Sequence, residues 1–373
     1  MLQYSGSLSR QCPISMPNGD EAVGPKQSAI SDGLAPWCVS EFHFPFDGNA
    51  TEKLTYCVRY AILAPSSHNT QPWHFALRRN QIELYADRTR SLPVIDPDNR
   101  ELIISCGAAL ANLSIAMRHF GYHADFAQFP EPNDTDLIAT VGLGREHLPT
   151  CQDEILFQAI PMRRTNRSAY ENTAISRSLL YELRAACTSQ GVSLTETSDK
   201  EQKLAIAELV AEGDRRQMAN PEFRAELAYW IHPAGVESHD GIPCYAQNIP
   251  KVLDFAAPFM ARLIRTFDMG DFTAARDTDL ANASAVLAVI STPTDSLADW
   301  LAAGMALERV LLIARAAGVW TSFLNQPIEV SELRLALRGL THCPGTPQIL
   351  LRMGYGRESD PTPRRALDEV LSN

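Results

Sequence analysis

The chain has 373 residues, 45% of them hydrophobic and 21% charged, an ordinary globular composition too long for one hydrophobic core, so two structural units are expected. A net charge of −11 excludes general affinity for nucleic acid or an anionic membrane, so any bound anion must be held by a few local arginines. No apolar run reaches the length of a membrane span and the first residues lack the apolar core of a signal peptide, which makes a cytoplasmic location the expectation.

Residues 1–48 are rich in Ser, Pro, Gly and Asp without periodicity and read as a low-order extension, with the cluster from Trp37 to Phe46 a candidate clasp onto the body. From Glu52 the pattern turns helical, placing Leu54, Val58, Ala61 and Ile62 on one face until Pro65 stops it. The next segment, APSSHNTQPWHF from Ala64 to Phe75, gathers Ser66, Ser67, His68, Asn69, Thr70 and Gln71 before Trp73 leads into a strand. Such a loop can present hydroxyl, amide and N–H groups to a polar ligand, and it can equally be a plain helix-to-strand connection. His74, within that strand, reads as structural.

Further on, Cys106 to Phe126 matches Ala303 to Phe323 at a constant offset of 197. Gly107 pairs with Gly304, Ala109 with Ala306, Leu110 with Leu307, Arg118 with Arg315, Gly121 with Gly318 and Phe126 with Phe323. Each copy is preceded by a strand-like run (QIELYAD, ASAVLAVIS) and an acidic turn, and each ends at its glycine before another strand. Two such copies imply an α+β fold of two tandem related halves, 49–157 and 158–373, forming a pseudo-dimer whose seam is a natural ligand site.

Between the copies, MRRTNRSAY groups Arg163, Arg164, Thr165 and Arg167 ahead of a helix capped by Asn172 or Ser176. Guanidinium forks can grip a phosphate, so this is either a phosphate-sized cation cluster or a solvated basic patch. Residues 224–282 are an insertion in the second half, a lid or a surface excursion. Near the end, PTPRRAL sets Arg364 and Arg365 after two prolines. The eight cysteines form no CxxC pair and no His completes a zinc site, so no metal is expected; Cys106 reads as core and Cys244 as the thiol most exposed.

PSSHNTQPWHF closely resembles the PSSxNxQPWxF loop of FMN-dependent nitroreductases. RRTNR resembles their phosphate motif, GVWTSF their segment after the long helix, and GYG followed by PRR their C-terminal ending. The resemblance spans roughly residues 50–367. In the dimeric members of that superfamily the Ser/Asn loop and the arginine motif of one FMN site come from different subunits. Here the first half has the loop without the arginines and the second the arginines without the loop, which resembles the single-chain, Acg-like branch with its lid. The resemblance implies a nitroreductase-like fold, with mixed sheets surrounded by helices. It implies one FMN, its phosphate held by Arg163, Arg164, Thr165 and Arg167 with Arg364 or Arg365. Ser66, Ser67, Asn69 and Gln71 would approach the flavin from the opposite half, and Thr321 and Ser322 would lie near its redox-active face. No protein general acid or nucleophile is required.

The pattern departs from the family at the flavin's pyrimidine edge, where Arg215 and Arg216 are candidate substitutes. The implied function is an NAD(P)H oxidoreductase that passes electrons through FMN to a small organic acceptor. The alternatives are an FMN-storage or sequestering protein whose lid closes the pocket, and a flavin-dependent biosynthetic dehydrogenase. Partners are then small molecules, with neither nucleic acid nor membrane, in a monomeric pseudo-dimer or a further homodimer.

Overall fold

The computed structural model describes residues 32–232, 238–247 and 257–372. Its first half runs through α1 (Ala50–Ala61), β1 (Trp73–Arg78), β2 (Gln81–Ala86), α2 (Arg100–His119), β3 (Tyr122–Gln128), β4 (Leu137–Glu146) and α3 (Cys151–Ala159). The second half opens with α4 (Arg177–Thr188) and β5 (Ser193–Thr197). An excursion follows, with α5 (Lys200–Ala219), α6 (Pro221–Tyr229), the short strands β6 (Ile231–His232) and β7 (Ile242–Pro243), α7 (Ala257–Thr266) and α8 (Gly270–Ala283). The half then completes itself with β8 (Val286–Thr292), α9 (Leu297–Ala316), β9 (Trp320–Phe323), α10 (Gln326–Glu329), α11 (Ser331–Thr341) and β10 (Thr346–Gly354), ending in α12 (Leu367–Val370) and β11 (Leu371–Ser372).

Local chemistry sets many of these boundaries. Capping boxes open three helices, Asn49 with Glu52 at α1, Thr150 with Asp153 at α3 and Ser296 with Asp299 at α9, each satisfying backbone donors that would otherwise be orphaned. Asp96 does the same for α2 by accepting from the N–H groups of Glu101 and Leu102. Arg79 and Asn80, both at positive φ, form the tight turn between β1 and β2.

The two halves repeat one topology. The first sheet runs β1-β2-β4-β3 and the second β5-β8-β10-β9, so in each the first, second, fourth and third strands lie side by side. In each, a long helix joins the second strand to the third, and those helices, α2 and α9, pack on each other. Gly107 and Gly304, partners in the sequence repeat, meet at the crossing. A Cβ on Gly107 would lie 2.3 Å from the carbonyl oxygen of Leu301, and one on Gly304 would lie 2.0 Å from that of Ile104. Only glycine permits this approach. By length and composition α2 could cross a bilayer, but it is mostly buried in this seam, and packing accounts for its apolar character. The second half also completes the first sheet, because β11 pairs in parallel with β1 through Phe75 with Leu371 and Ala76 with Ser372.

Three expectations are corrected. Of the supposed low-order extension, residues 1–31 lie outside the described residues, but residues 32–48 are ordered. They form 3-10 turns at Asp32–Cys38 and Glu41–His43, with Trp37 1% and Phe44 5% exposed and Phe44 stacked on Phe120 at 3.9 Å. Short turns anchored by a few aromatic contacts leave no periodicity to read. The inserted excursion spans residues 198–285 rather than 224–282, because its ends are fixed by the pairing of β5 with β8 and α5 reads like any amphipathic helix; residues 233–237 and 248–256 within it lie outside the described residues. Cys244 is buried, at 2% exposure, and among the described residues the exposed thiol is Cys151 at the start of α3.

Candidate functional site

The polar loop after α1 is held in an unusual backbone shape. His68, Asn69 and Gln71 all have positive φ, a conformation that costs energy outside glycine and persists where surroundings enforce it. The enforcing bonds come from both halves. The backbone N–H of Gln71 donates to Ser66 Oγ at 2.8 Å, and Ser67 donates its hydroxyl to Glu101 of α2. Asn69 Nδ2 donates to the carbonyls of Gly241 and Pro363, both at 3.0 Å, while its Oδ1 accepts from Arg364 Nη1 at 2.6 Å. The loop of the first half is thus tied to the excursion and the C-terminal segment of the second.

The arginine motif follows α3 through a 3-10 turn at Ile160–Met162. Arg163, 3% exposed, donates through Nη2 to the carbonyl of Leu63 at 3.0 Å, and its Nε lies 3.6 Å from the fully buried carboxylate of Glu308. The Arg164 guanidinium lies 3.7 Å from the ring centroid of Trp37 and that of Arg364 lies 4.7 Å away, so one indole carries two cations. Trp37 is fixed in turn by donating Nε1 to the carbonyl of Thr362 at 2.7 Å. Burial pushes these guanidiniums toward their neutral form and neighbouring cations add to it, Arg163 beside Arg164 and Arg364, and Arg276 and Arg352 beside Arg167, taking Arg164 down to about 9, Arg167 to about 10 and Arg364 well below the usual range. Nε of Arg163 and Nε of Arg364 have no hydrogen-bond partner. A desolvated cation cluster with unused donors is short of negative charge, and a phosphate would supply it.

Two adjoining cavities occupy this region. A small one of about 30 Å³ is bordered by Arg163, Arg164, Arg167, Arg364, Asn69 and Trp37, among others. A large one of about 650 Å³ lies beside it, and Pro65, Ser66, Thr165, Arg167 and Ile242 border both. Ser67 and Ser322 border the large cavity. Of the twelve residues named from sequence, nine border one cavity or the other, and Gln71, Arg365 and Thr321 border neither. The Gln71 amide is spent on bonds to the carbonyls of His239 and Asn69 and to the N–H of Arg365. Arg365 binds the carbonyls of Gln71, Trp73 and Glu369. Thr321 bridges Thr165 and accepts through its carbonyl from the N–H of Asn166. Arg215 and Arg216 also border neither cavity and pair with Glu212, Asp271 and Glu332 instead. His74 bonds Ser372 Oγ at 2.9 Å, fastening β1 to β11.

Sequence reasoning missed several groups. Trp37 carries no motif and reaches the arginines only through tertiary packing. In the large cavity the missed polar groups are Glu101, Asn325, Arg276 and Arg352, together with the carboxyls Asp214 and Asp277, which both accept from Gln326 Nε2. Burial, reinforced by Asp277, pushes Asp214 up to about 7. His68, also on the cavity wall, is pushed down to about 4 by burial and is neutral at physiological pH. The excursion supplies an apolar wall through Met218, Phe223, Leu227, Ile264 and Phe272.

Several relatives that match over most of the chain are named as NAD(P)H nitroreductases. "Putative NAD(P)H nitroreductase Rv3131" of Mycobacterium tuberculosis is 34% identical over 349 residues, covering 92% of this chain and 96% of its own length. The chain belongs to the nitroreductase superfamily. Within it, "Putative NAD(P)H nitroreductase acg" of the same organism is 30% identical over 333 residues, 86% of this chain and 96% of the relative. "Probable NAD(P)H nitroreductase PigM" of a Serratia species is 24% identical over 336 residues, 86% of this chain and 93% of the relative. Among solved structures, the FMN- and NADPH-dependent nitroreductase NfnB of a Sphingopyxis strain matches 58% of this chain and 96% of its own, at 18% identity and a TM-score of 0.37. No family model matches the chain.

Proposed function

We propose that the joined cavities hold one FMN, with its phosphate in the arginine pocket and its ring system in the larger space, and that the protein is an NAD(P)H oxidoreductase of the nitroreductase type acting on a small organic acceptor. The observation that carries this reading is the small pocket bordered by the buried Arg163, Arg164 and Arg364 and the half-buried Arg167, opening beside the Ser66 loop of the other half. The larger cavity falls in the size range of cofactor and ligand sites, roughly 300–1,000 Å³. The names of the full-length relatives agree with it.

When bound, FMN supplies the hydride and electron chemistry. This chain's part is to bind, orient and shield. Arg163, Arg164, Arg167 and Arg364 offer charge-assisted donors to the phosphate, and Ser66, Asn69 and Thr165 offer neutral ones. Trp37 holds two of those guanidiniums in place. His68, uncharged at physiological pH, adds no cation to the wall of the large cavity. The apolar side chains of the excursion keep water from that cavity, which strengthens every polar contact inside it.

The same wall favours a second reading, sequestration of the flavin without turnover. Mixing the purified yellow protein with NADPH or NADH and following flavin absorbance separates the two. Bleaching within seconds to minutes, with reoxidation by a quinone or nitroaromatic, is the expected result. Reduction by dithionite but by neither nicotinamide would establish storage instead, and a protein purified without flavin that takes none up would sink both.

A further inference from the structure

Glu308 sits in α9, fully buried in the seam against α2, with its carboxylate 3.6 Å from Nε of Arg163. Neither carboxylate oxygen makes a hydrogen bond of ordinary geometry, and the amide of Asn112, its polar neighbour on α2, is fully buried as well. Burying a carboxylate with so little compensation is unfavourable, so the fold does not gain from it. The chain contains its own control. At the offset of 197 that relates the two copies, Glu308 corresponds to Ala111, so the same helix position in the same seam packs with an alanine in the other copy. The half with alanine has no arginine cluster and the half with the acid has one.

We propose that Glu308 is the positioning residue of the arginine pocket, holding Arg163 while the pocket is empty and taking up a proton as a phosphate enters, so that anion binding here is coupled to protonation. The inference rests on reading the pocket as a phosphate site. One guanidinium lies between a carboxylate behind it and the pocket in front, and an incoming dianion would raise the energy of the charged carboxylate in a medium that screens poorly. Burial has already pushed Glu308 up to about 7, so its neutral form is within easy reach. The charged groups that face it are Arg163 and, farther off, Arg364, and α2 presents the uncharged amide of Asn112. Arg309, next on its own helix, is coupled to Arg118 and Asp153 instead.

The test is FMN binding to the full chain freed of flavin by dialysis, measured calorimetrically in buffers of different ionisation enthalpy. It is run between about pH 7 and 8.5, above the phosphate's own second pKa of about 6. The wild type should take up protons on binding and weaken as pH rises, approaching a tenfold loss per pH unit. Glu308→Gln should take up fewer protons than the wild type and show a flatter profile, because whatever uptake Arg164 contributes, pushed down to about 9, is common to both proteins. Equal proton uptake by the two proteins, or identical pH profiles, would overturn the proposal while leaving the phosphate site standing. A wild type that binds no FMN would overturn both. If Glu308→Gln does not fold, infrared difference spectra of the wild type decide the matter: a protonated-carboxyl band must appear on FMN binding, and its absence refutes the coupling.

Discussion

At the scale of single residues, the site works by placing cations where water does not reach them. Arg164 is 7% exposed and its guanidinium lies over the Trp37 ring, so it is preorganised and loses little side-chain freedom on meeting a phosphate. Losing one charge-assisted bond costs about 1.5–3 kcal/mol, a ten- to hundredfold weakening. Arg164→Ala is therefore expected to purify folded and nearly colourless; flavin retained at wild-type affinity in a titration would refute the assignment. His68 gives a second prediction. Its folded-state pKa is lowered to about 4 against an ordinary value near 6.5, so below about pH 6.5 the unfolded chain binds a proton that the folded chain refuses. Stability should be full above that value and fall by roughly 1–3 kcal/mol as pH drops toward 4. A His68→Gln variant should lose this part of the acid sensitivity in urea titrations.

At the scale of elements, the seam between α2 and α9 decides whether the two halves share a site. Alanine is a better helix former than glycine by about 1 kcal/mol, yet at Gly304 its Cβ would lie 2.0 Å from a backbone oxygen of α2. Overpacking of that kind costs about 1–3 kcal/mol or more, so the clash wins. Gly304→Ala should lower stability by roughly 1–2 kcal/mol net and release flavin, because spreading the helices separates Arg163 from the Ser66 loop. Gly339, in α11 with no atom within 4 Å of a built Cβ, is the matched control: there alanine should stabilise by about 0.5–1 kcal/mol. Equal urea midpoints for the two variants would remove the close approach as the explanation.

At the scale of the whole molecule, the duplicated topology makes two equivalent positions but the side chains furnish one. The first half has no arginine cluster near α1, where Arg59 stands alone in the last turn of the helix, whereas the segment before α4 carries Arg163, Arg164 and Arg167. Equilibrium dialysis should thus saturate at one FMN per chain. A stoichiometry of two would show that the arginine pocket is not what selects the site. The excursion between β5 and β8 enlarges one half alone, and its apolar side chains wall the cavity that this single position opens.

Much of this was legible in the chain itself, for local reasons. Gly107 and Gly304 were legible as partners in the repeat, whereas their close approach at the helix crossing was decided by the fold. PSSHNTQPW and RRTNR read as a divided phosphate site only through their resemblance to a known family, since their residue types alone also fit a plain connection and a solvated basic patch. The sequence could not show which member of a motif faces the ligand. Arg364 and Arg365 are adjacent and chemically alike, yet Arg364 borders the pocket while Arg365 ties β1 to the C-terminal segment. Trp37 and Glu308 were silent, lying 126 and 145 residues from Arg163 along the chain with no spacing rule to connect them. Sequence by itself determined the duplicated halves and the polar and basic residue types each carries. Tertiary structure alone decided which donors converge, because burial and orientation are set by contacts between segments that the order of residues does not bring together.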